Sequence, residues 1–264
     1  MRSSPASMSA RPLPLLEVQG LTKRFGGVTA NDAIDLELAA GETHAVIGPN
    51  GAGKTTLVAQ LSGEILPSAG HIVLGGLDVT RMPPYRRAAR GLARVFQVTS
   101  IFKDFSTLEN VAIAAQGRLS HSYAFWKPAE ADEGLNTLAR EALRQVGLES
   151  RWSDPAGELS HGEHRQLEIA MALVRRPRLL LLDEPTAGMG PEESRDFQQL
   201  LLGLKKSYTI LLIEHDMQVV FAIADRITVL AGGQVIASGS PREVQGNTQV
   251  REAYLGEDFA MGAG

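Results

Sequence analysis

The chain has 264 residues, 44% of them hydrophobic and 21% charged, which excludes disordered and collagen-like chains and leaves room for one large core with a lobe inserted into it. Its net charge of -4 argues against a broad basic surface, so nucleic acid is not an expected partner. Without Cys there are no disulfides or thiolate zinc sites, and no apolar run approaches the ~20 residues that a membrane-spanning helix needs.

Residues 1–14, MRSSPASMSARPLP, are rich in Ser, Pro and Ala around no apolar centre and are expected to form a disordered leader. From Leu15 to Ile47, the runs LLEVQ, DAIDLEL and THAVIG are short, apolar or alternating, and broken by Gly pairs, the pattern of strands. Beyond a Gly-rich loop, TTLVAQLSG predicts a helix stopped at Gly63, and HIVLGG a strand and turn. From about Val98 to Pro155 strand patterns give way to helical spacing at Leu135, Leu138, Ala142 and Val146, with Gly147 as the stop, so a helical lobe is expected. Apolar runs then return as LLLLD at 179–183, TILLIEH at 209–215 and RITVL at 226–230. The first two lack polar alternation, as parallel strands covered on both faces do. The expected fold is α/β, a mostly parallel sheet enclosing an inserted helical piece, with no internal repeat.

GPNGAGKT at 48–55 fits G-x-x-x-x-G-K-[ST] between a predicted strand and a predicted helix. Gly48, Gly51 and Gly53 permit a backbone that a Cβ would obstruct, so the amides along Asn50, Ala52 and their neighbours can converge on phosphate oxygens. Lys54, read as an unpaired cation at the mouth of this cradle, would meet the β and γ phosphates at a helix N-terminus that also carries Thr56. The Thr55 hydroxyl would ligate Mg2+. Kinases, small GTPases and many motors satisfy the same pattern.

LLLLDEP places two carboxylates at the end of a buried strand, where open parallel sheets bind ligands. Asp183 would hold Mg2+ through its water shell and Glu184 would polarise an attacking water. A DE pair alone is more often a solvated turn; the loop upstream favours the functional reading. His215 ends the next apolar strand and would reach the γ phosphate from the same sheet edge. In ELSHGEHRQLEIAMALVRRP at 158–177, Ser160 and Glu163 have capping-box spacing before an apolar face at Leu167, Ala170, Met171 and Val174. On this segment alone a well-capped core helix is the natural reading.

Taken in order, these elements from about Leu15 to Gly256 resemble the ATP-binding cassette of ABC transporters. LTKRFGG offers Phe25 for stacking on adenine, VFQ ends in Gln97, LSHGE stands at the family signature, and LLLLDEP and His215 complete the set. The resemblance implies a P-loop NTPase core with an N-terminal antiparallel β subdomain and a helical subdomain inserted at about 98–157, followed by a tail at 257–264. It implies ATP and Mg2+ as cofactors, Gln97 as a γ-phosphate and metal sensor beside the catalytic Glu184 and His215, and Thr55 and Asp183 as further metal ligands. It implies head-to-tail pairing with a second ABC ATPase subunit, the same chain or a paralogue. Ser160, Gly162 and Glu163 of one copy would then face the nucleotide of the other. Two departures stand out: His161 and Glu163 in the signature, where Gly and Gln are commonest, and AGMG at 187–190, where the family's loop ends in Asp.

TKRFGGVTA, LEIAMAL, IEHDM and AYLGED look like the cassettes of branched-chain and hydrophobic amino acid importers, a group close to urea and amide importers and the lipopolysaccharide-extracting cassette. This likeness implies separate membrane permease subunits, indirectly an extracytoplasmic substrate-binding protein, and a peripheral position on the cytoplasmic face of the inner membrane. Ile101, Phe102, Phe105, Phe125 and Trp126 lie in the segment expected to receive a permease helix, with Phe102 or Phe105 facing it. A non-transport ABC ATPase would be expected to join two cassettes or carry long coiled coils, and neither is present.

Overall fold

The computed structural model describes residues 14–95, 101–116 and 133–254. Two sheets organise it. Strands β1 (Leu16–Phe25), β2 (Val28–Leu38), β4 (Ala69–Leu74) and β5 (Leu77–Asp78) form an antiparallel sheet in the order β2-β1-β4-β5. Strands β3 (Thr43–Ile47), β6 (Leu92–Val95), β7 (Leu179–Asp183), β8 (Thr209–Ile213), β9 (Arg226–Ala231) and β10 (Gln234–Gly239) form the second, in the order β10-β9-β3-β8-β7-β6. All its pairs are parallel except β9 with β10.

The parallel strands divide their side chains between two cores. Leu180 and Leu182 of β7, with Ile210 and Leu212 of β8, pack into a cluster built with α3 (Thr107–Gln116), α4 (Glu133–Gln145), α5 (His161–Leu173) and α6 (Pro191–Leu204). Leu179, Leu181, Leu211 and Ile213 face the other way, onto α1 (Lys54–Ser62) and the antiparallel sheet. Alternate residues of a strand point to opposite faces, so a strand covered twice must be apolar throughout. That is why LLLLD and TILLI are buried at every position. A third cluster joins Ala45, Ile47, Ile227 and Val229 to α7 (Met217–Ile223), α8 (Pro241–Gly246) and α9 (Thr248–Ala253).

Helix α1 stops at Gly63 and α4 just before Gly147, both with positive φ. The carbonyls freed at the end of α1 are taken by Arg87, in α2 (Pro84–Ala89), whose guanidinium donates to the oxygens of Gln60 and Leu61 at 2.7 Å each. Arg87 is fully buried and also donates to Thr80 and Met82 carbonyls, so it ties the β4–β5 region to α1; burial pushes its pKa down to about 10. A cation at a helix C-terminus is the favourable end of the dipole.

Candidate active site

Because β3, β8 and β7 are neighbours in that order, the segments leaving their C-terminal ends meet along one sheet edge. They are the 48–53 loop, residues 214–216, and Asp183 with Glu184.

The loop after β3 is held from two sides. The buried Asn31 of β2 donates to the Gly53 carbonyl at 3.1 Å and accepts from Gln60 of α1 at 2.7 Å. The Gly233 amide donates to the Ala52 carbonyl at 3.2 Å. Glycine is required at two positions: a Cβ on Gly48 would lie 2.3 Å from the Leu230 carbonyl oxygen, and one on Gly53 would lie 2.3 Å from that of Ala30. Gly53 also has φ +98° and opens α1 with no side-chain cap and no acidic residue in the first turn. The leading amides of α1 therefore keep their capacity for an anion. Asn50, Gly51 and Thr55 are exposed, Thr56 is half-buried and Ala52 is buried.

Lys54 is not the unpaired cation expected from its position. Its ammonium donates to the carbonyl oxygens of Gly48 at 2.6 Å and Pro49 at 3.1 Å, folding the side chain along its own loop. Burial holds its pKa below the usual lysine value, and the carboxylates of Glu184 and Asp183 partly offset that. A lysine has three donors, so one remains for a ligand.

Asp183 closes β7, buried, with Oδ2 accepting from Arg94 of β6 at 3.0 Å. Burial raises its pKa and Arg94 opposes the rise. Arg94 also pairs with Glu64 and bonds Ser62, linking β7 to the end of α1. Glu184 follows with φ +46°, its amide donating to the Ile213 carbonyl at 2.8 Å. A non-Gly residue at positive φ is strained and persists where the surroundings over-determine it. His215 does not end β8 as expected but lies two residues beyond Ile213, its side chain 61% exposed. Before it, Glu214 is fully buried and accepts bonds from both strand-end segments.

The predicted capping box opens α5: the Glu163 amide donates to the Ser160 hydroxyl oxygen at 3.2 Å, and the Ser160 amide donates to the Glu163 carboxylate at 2.8 Å. Among the described residues, no hydrogen bond or ion pair joins Ser160, Gly162 or Glu163 to residues 48–56 of the same chain. Instead α5 contacts the loop after Glu184. His161 Nε2 lies 3.3 Å from the Ala187 carbonyl, and the buried Arg165 donates to the Pro185 carbonyl at 3.2 Å. Hence the two departures from the family pattern, His161 and the 187–190 loop, touch each other. Phe25 ends β1, 51% exposed, with the Lys23 ammonium 5.0 Å from its ring centre. Gln97, Phe125 and Trp126 lie outside the described residues.

Sequence reasoning missed Asn31, Arg94, Arg165 and Glu214. Their partners stand 22, 89, 20 and 28 residues away, and no local spacing signals such contacts.

The chain matches the ABC transporter family over residues 31–187, the span from β2 through the strand-end carboxylates. It is an ATP-binding cassette of that family. A further family, described as branched-chain amino acid ATP-binding cassette transporter, matches residues 234–260 of the cassette. The cassette is 39% identical over 251 residues to the high-affinity branched-chain amino acid transport ATP-binding protein BraF of Pseudomonas aeruginosa, covering 92% of this chain and 98% of BraF. It is 35% identical over 248 residues to the lipopolysaccharide export system ATP-binding protein LptB of Acidithiobacillus ferridurans, covering 94% and 99% of the two chains. A crystal structure of the ADP conformation of MJ1267, an ATP-binding cassette of an ABC transporter, matches with TM-score 0.83 and 30% identity, and one of a nucleotide-free ATP-binding cassette from an ABC transporter with TM-score 0.82 and 30% identity, each over 93% of this chain and all of the other. The cassette is therefore an ATPase subunit with an α/β fold, a mostly parallel sheet and an antiparallel N-terminal sheet.

Proposed function

We propose that the cassette powers the import of branched-chain or other hydrophobic amino acids through separate permease subunits, from the cytoplasmic face of the inner membrane. The single observation that carries the substrate class is the match at residues 234–260 to the branched-chain family, in a part of the chain remote from the nucleotide loop. It favours this reading over lipopolysaccharide export, since the general cassette match cannot separate the two. Among the described residues no helix is long and apolar enough to cross a membrane, which suits a subunit that relies on a separate channel.

The hydrolytic roles follow from the strand ends. The α1 amides, those along Gly48 to Thr56, and Lys54 bind the triphosphate, and Phe25 stacks on the adenine. Thr55 and Asp183 offer a hydroxyl and a carboxylate, a hard oxygen pair that fits Mg2+, which takes most of its shell from water and phosphate. When bound, Mg2+ would supply positive charge to offset that of the β and γ phosphates, and Gln97 is assigned with Thr55 and Asp183 to hold it. Glu184 accepts the proton of the attacking water, and His215, exposed at the next strand end, contacts the γ phosphate. Ser160 and Gly162 act on the nucleotide of a second ABC ATPase subunit: the Ser160 hydroxyl accepts from the Glu163 amide and retains its own hydrogen to donate.

Permease docking is supported by a cavity of about 370 Å³ lined by Tyr85, Leu92, Val95, Ala114 and Met171, between α2, β6, α3 and α5. Phe102 and Phe105 are exposed and stack with ring centres 5.4 Å apart, whereas Ile101 packs against the helical core. Domain limits follow the same reading, with the cassette at 15–256, its helical subdomain at 98–157, a leader before it and a tail after it.

The test is genetic and biochemical. Glu184→Gln is expected to bind ATP and dimerise while turnover falls about a hundredfold or more, and Lys54→Ala to lose ATP binding. Equal ATPase rates in wild type and Glu184→Gln would refute the role of Glu184. Uptake of labelled leucine, urea and export of lipopolysaccharide in a deletion strain then decide the cargo; unchanged leucine uptake would refute the import assignment.

A further inference from the structure

Glu214 is the fully buried carboxylate at the end of β8, and its two oxygens serve two different segments. Oε1 accepts the Thr186 amide at 3.0 Å and also the Thr186 hydroxyl. Oε2 accepts the amides of His215 at 2.8 Å and Asp216 at 3.2 Å, with His215 Nδ1 3.6 Å away. A carboxylate has about four acceptor positions, and here four donors occupy them. Among the described residues no Lys or Arg pairs with it. A carboxylate buried without such a cation is costly, and helix or strand stability alone does not call for one at this position.

The neighbouring glutamate is placed in the opposite way. In the β7–β8 register Asp183 stands opposite Ile213, so Glu184 and Glu214 are adjacent residues on adjacent strand ends. Glu184 is half-buried at strained φ; Glu214 is saturated beneath it. The strain at Glu184 is bracketed by two anchors: its own amide on the Ile213 carbonyl, and Thr186, two residues on, held by Glu214. The other oxygen fixes the backbone from which the His215 ring projects.

We infer that Glu214 is a positioning residue for hydrolysis, a charged fork that holds the loop carrying Glu184 and the turn carrying His215 in one register. Its acceptor positions are taken by protein donors, so it acts through those two groups. Charge-assisted bonds from amides are about twice as strong as neutral ones, which suits a carboxylate over an amide for this task. Glu214→Gln would present an NH2 group to one of two donor pairs and free one segment from the other. The inference rests on the roles proposed above for Glu184 and His215.

The experiment is a mutant cycle on the full chain, reading kcat and KM for ATP together with Tm. Glu214→Gln is expected to lower kcat about tenfold to a hundredfold, the cost of misplacing a catalytic group by about an ångström, with KM within about twofold. Combined with His215→Ala, it should lower kcat by less than the product of the two single losses, because only the part of its effect that runs through the Glu184 loop remains once the histidine is gone. Thr186→Val, which removes only the hydroxyl arm, should give the same split with a smaller loss and serves if Glu214→Gln does not fold. Wild-type kcat in a folded Glu214→Gln, or in Thr186→Val where the first variant does not fold, would overturn the inference, as would losses that multiply in the double variant. If Glu184→Gln and His215→Ala themselves keep wild-type rates, the hydrolytic assignment fails first and the inference with it.

Discussion

Helices α1 and α5 both begin with a polar loop residue and a glycine nearby, yet their N-termini are finished in opposite ways. At α1 the cap is Gly53, with no side chain to satisfy the leading amides and no carboxylate in the first turn. At α5 the Ser160–Glu163 box satisfies amides internally and leaves a negative charge at the positive end of the dipole. The first keeps its leading amides available to an anion; the second is capped by its own side chains. In the proposed reading an anion binds α1 directly, whereas at α5 it works beside Glu163 through the Ser160 hydrogen. This difference suits a primary site and a subsidiary, switchable contact supplied to a second subunit.

The sharpest way to break the contrast is to spoil the open end. Gly53→Ala forces a Cβ into a left-handed residue, costing roughly 1–2 kcal/mol, and drives it to 2.3 Å from a backbone oxygen. ATP affinity, read by equilibrium titration with a fluorescent nucleotide, should fall by about a hundredfold or more.

Next comes the strand that feeds α1. Burial, helped by the charge of Arg226, pushes the His44 pKa from 6.5 down to about 4. Folded protein therefore keeps this imidazole neutral while the unfolded chain takes up a proton below about pH 6.5. The unfolded state binds more protons in that window, so stability rises with pH across it and is lost as pH falls from about 6.5 towards 4, by about 3 kcal/mol. Denaturant unfolding of His44→Gln against wild type should show this slope removed.

At the closed end, Ser160→Ala removes the cap and should cost about 1 kcal/mol of stability, seen as a Tm drop of roughly 2–4 °C. In the Glu184→Gln background it should also weaken ATP-driven dimerisation about tenfold by sedimentation. The smallest effect is the most telling. Glu163→Gln keeps the reach-back bond but removes the charge. It should lose about 0.5 kcal/mol of stability and tighten the ATP-bound dimer about threefold; a weaker dimer would show that the negative charge does not oppose the triphosphate.

Much of this was legible in the sequence. LLLLD is β7 over the same five residues, the strand expected at TILLIEH is β8 but stops two residues early at Ile213, the capping box is present, and the glycine stops at 63 and 147 fall where spacing put them. Each of these rests on local periodicity or on turn chemistry within four residues. The four-residue β6 and the six-residue β10 escaped it. β6 lies at a sheet edge with a half-exposed Ala93 and Arg94, and β10 has no fully buried residue, so neither carries a clean pattern. Lys54 was read correctly for place and wrongly for company, because its partners are carbonyls, which every residue has and no residue type announces.

What the chain's letters marked by themselves were the residues to which the proposed function assigns chemistry: a lysine and threonine after glycines, an acidic pair closing an apolar strand, a serine opening a helix. Folding decided which of them meet. Only the parallel order β3-β8-β7 brings residues 48–54, 214–216 and 183–184 to one edge, and only there does Glu214 find donors on both neighbouring segments. The physical reason is range: hydrophobic period and capping act within a turn or a strand, whereas strand order and buried polar partners depend on segments that meet only when both faces of the sheet are covered.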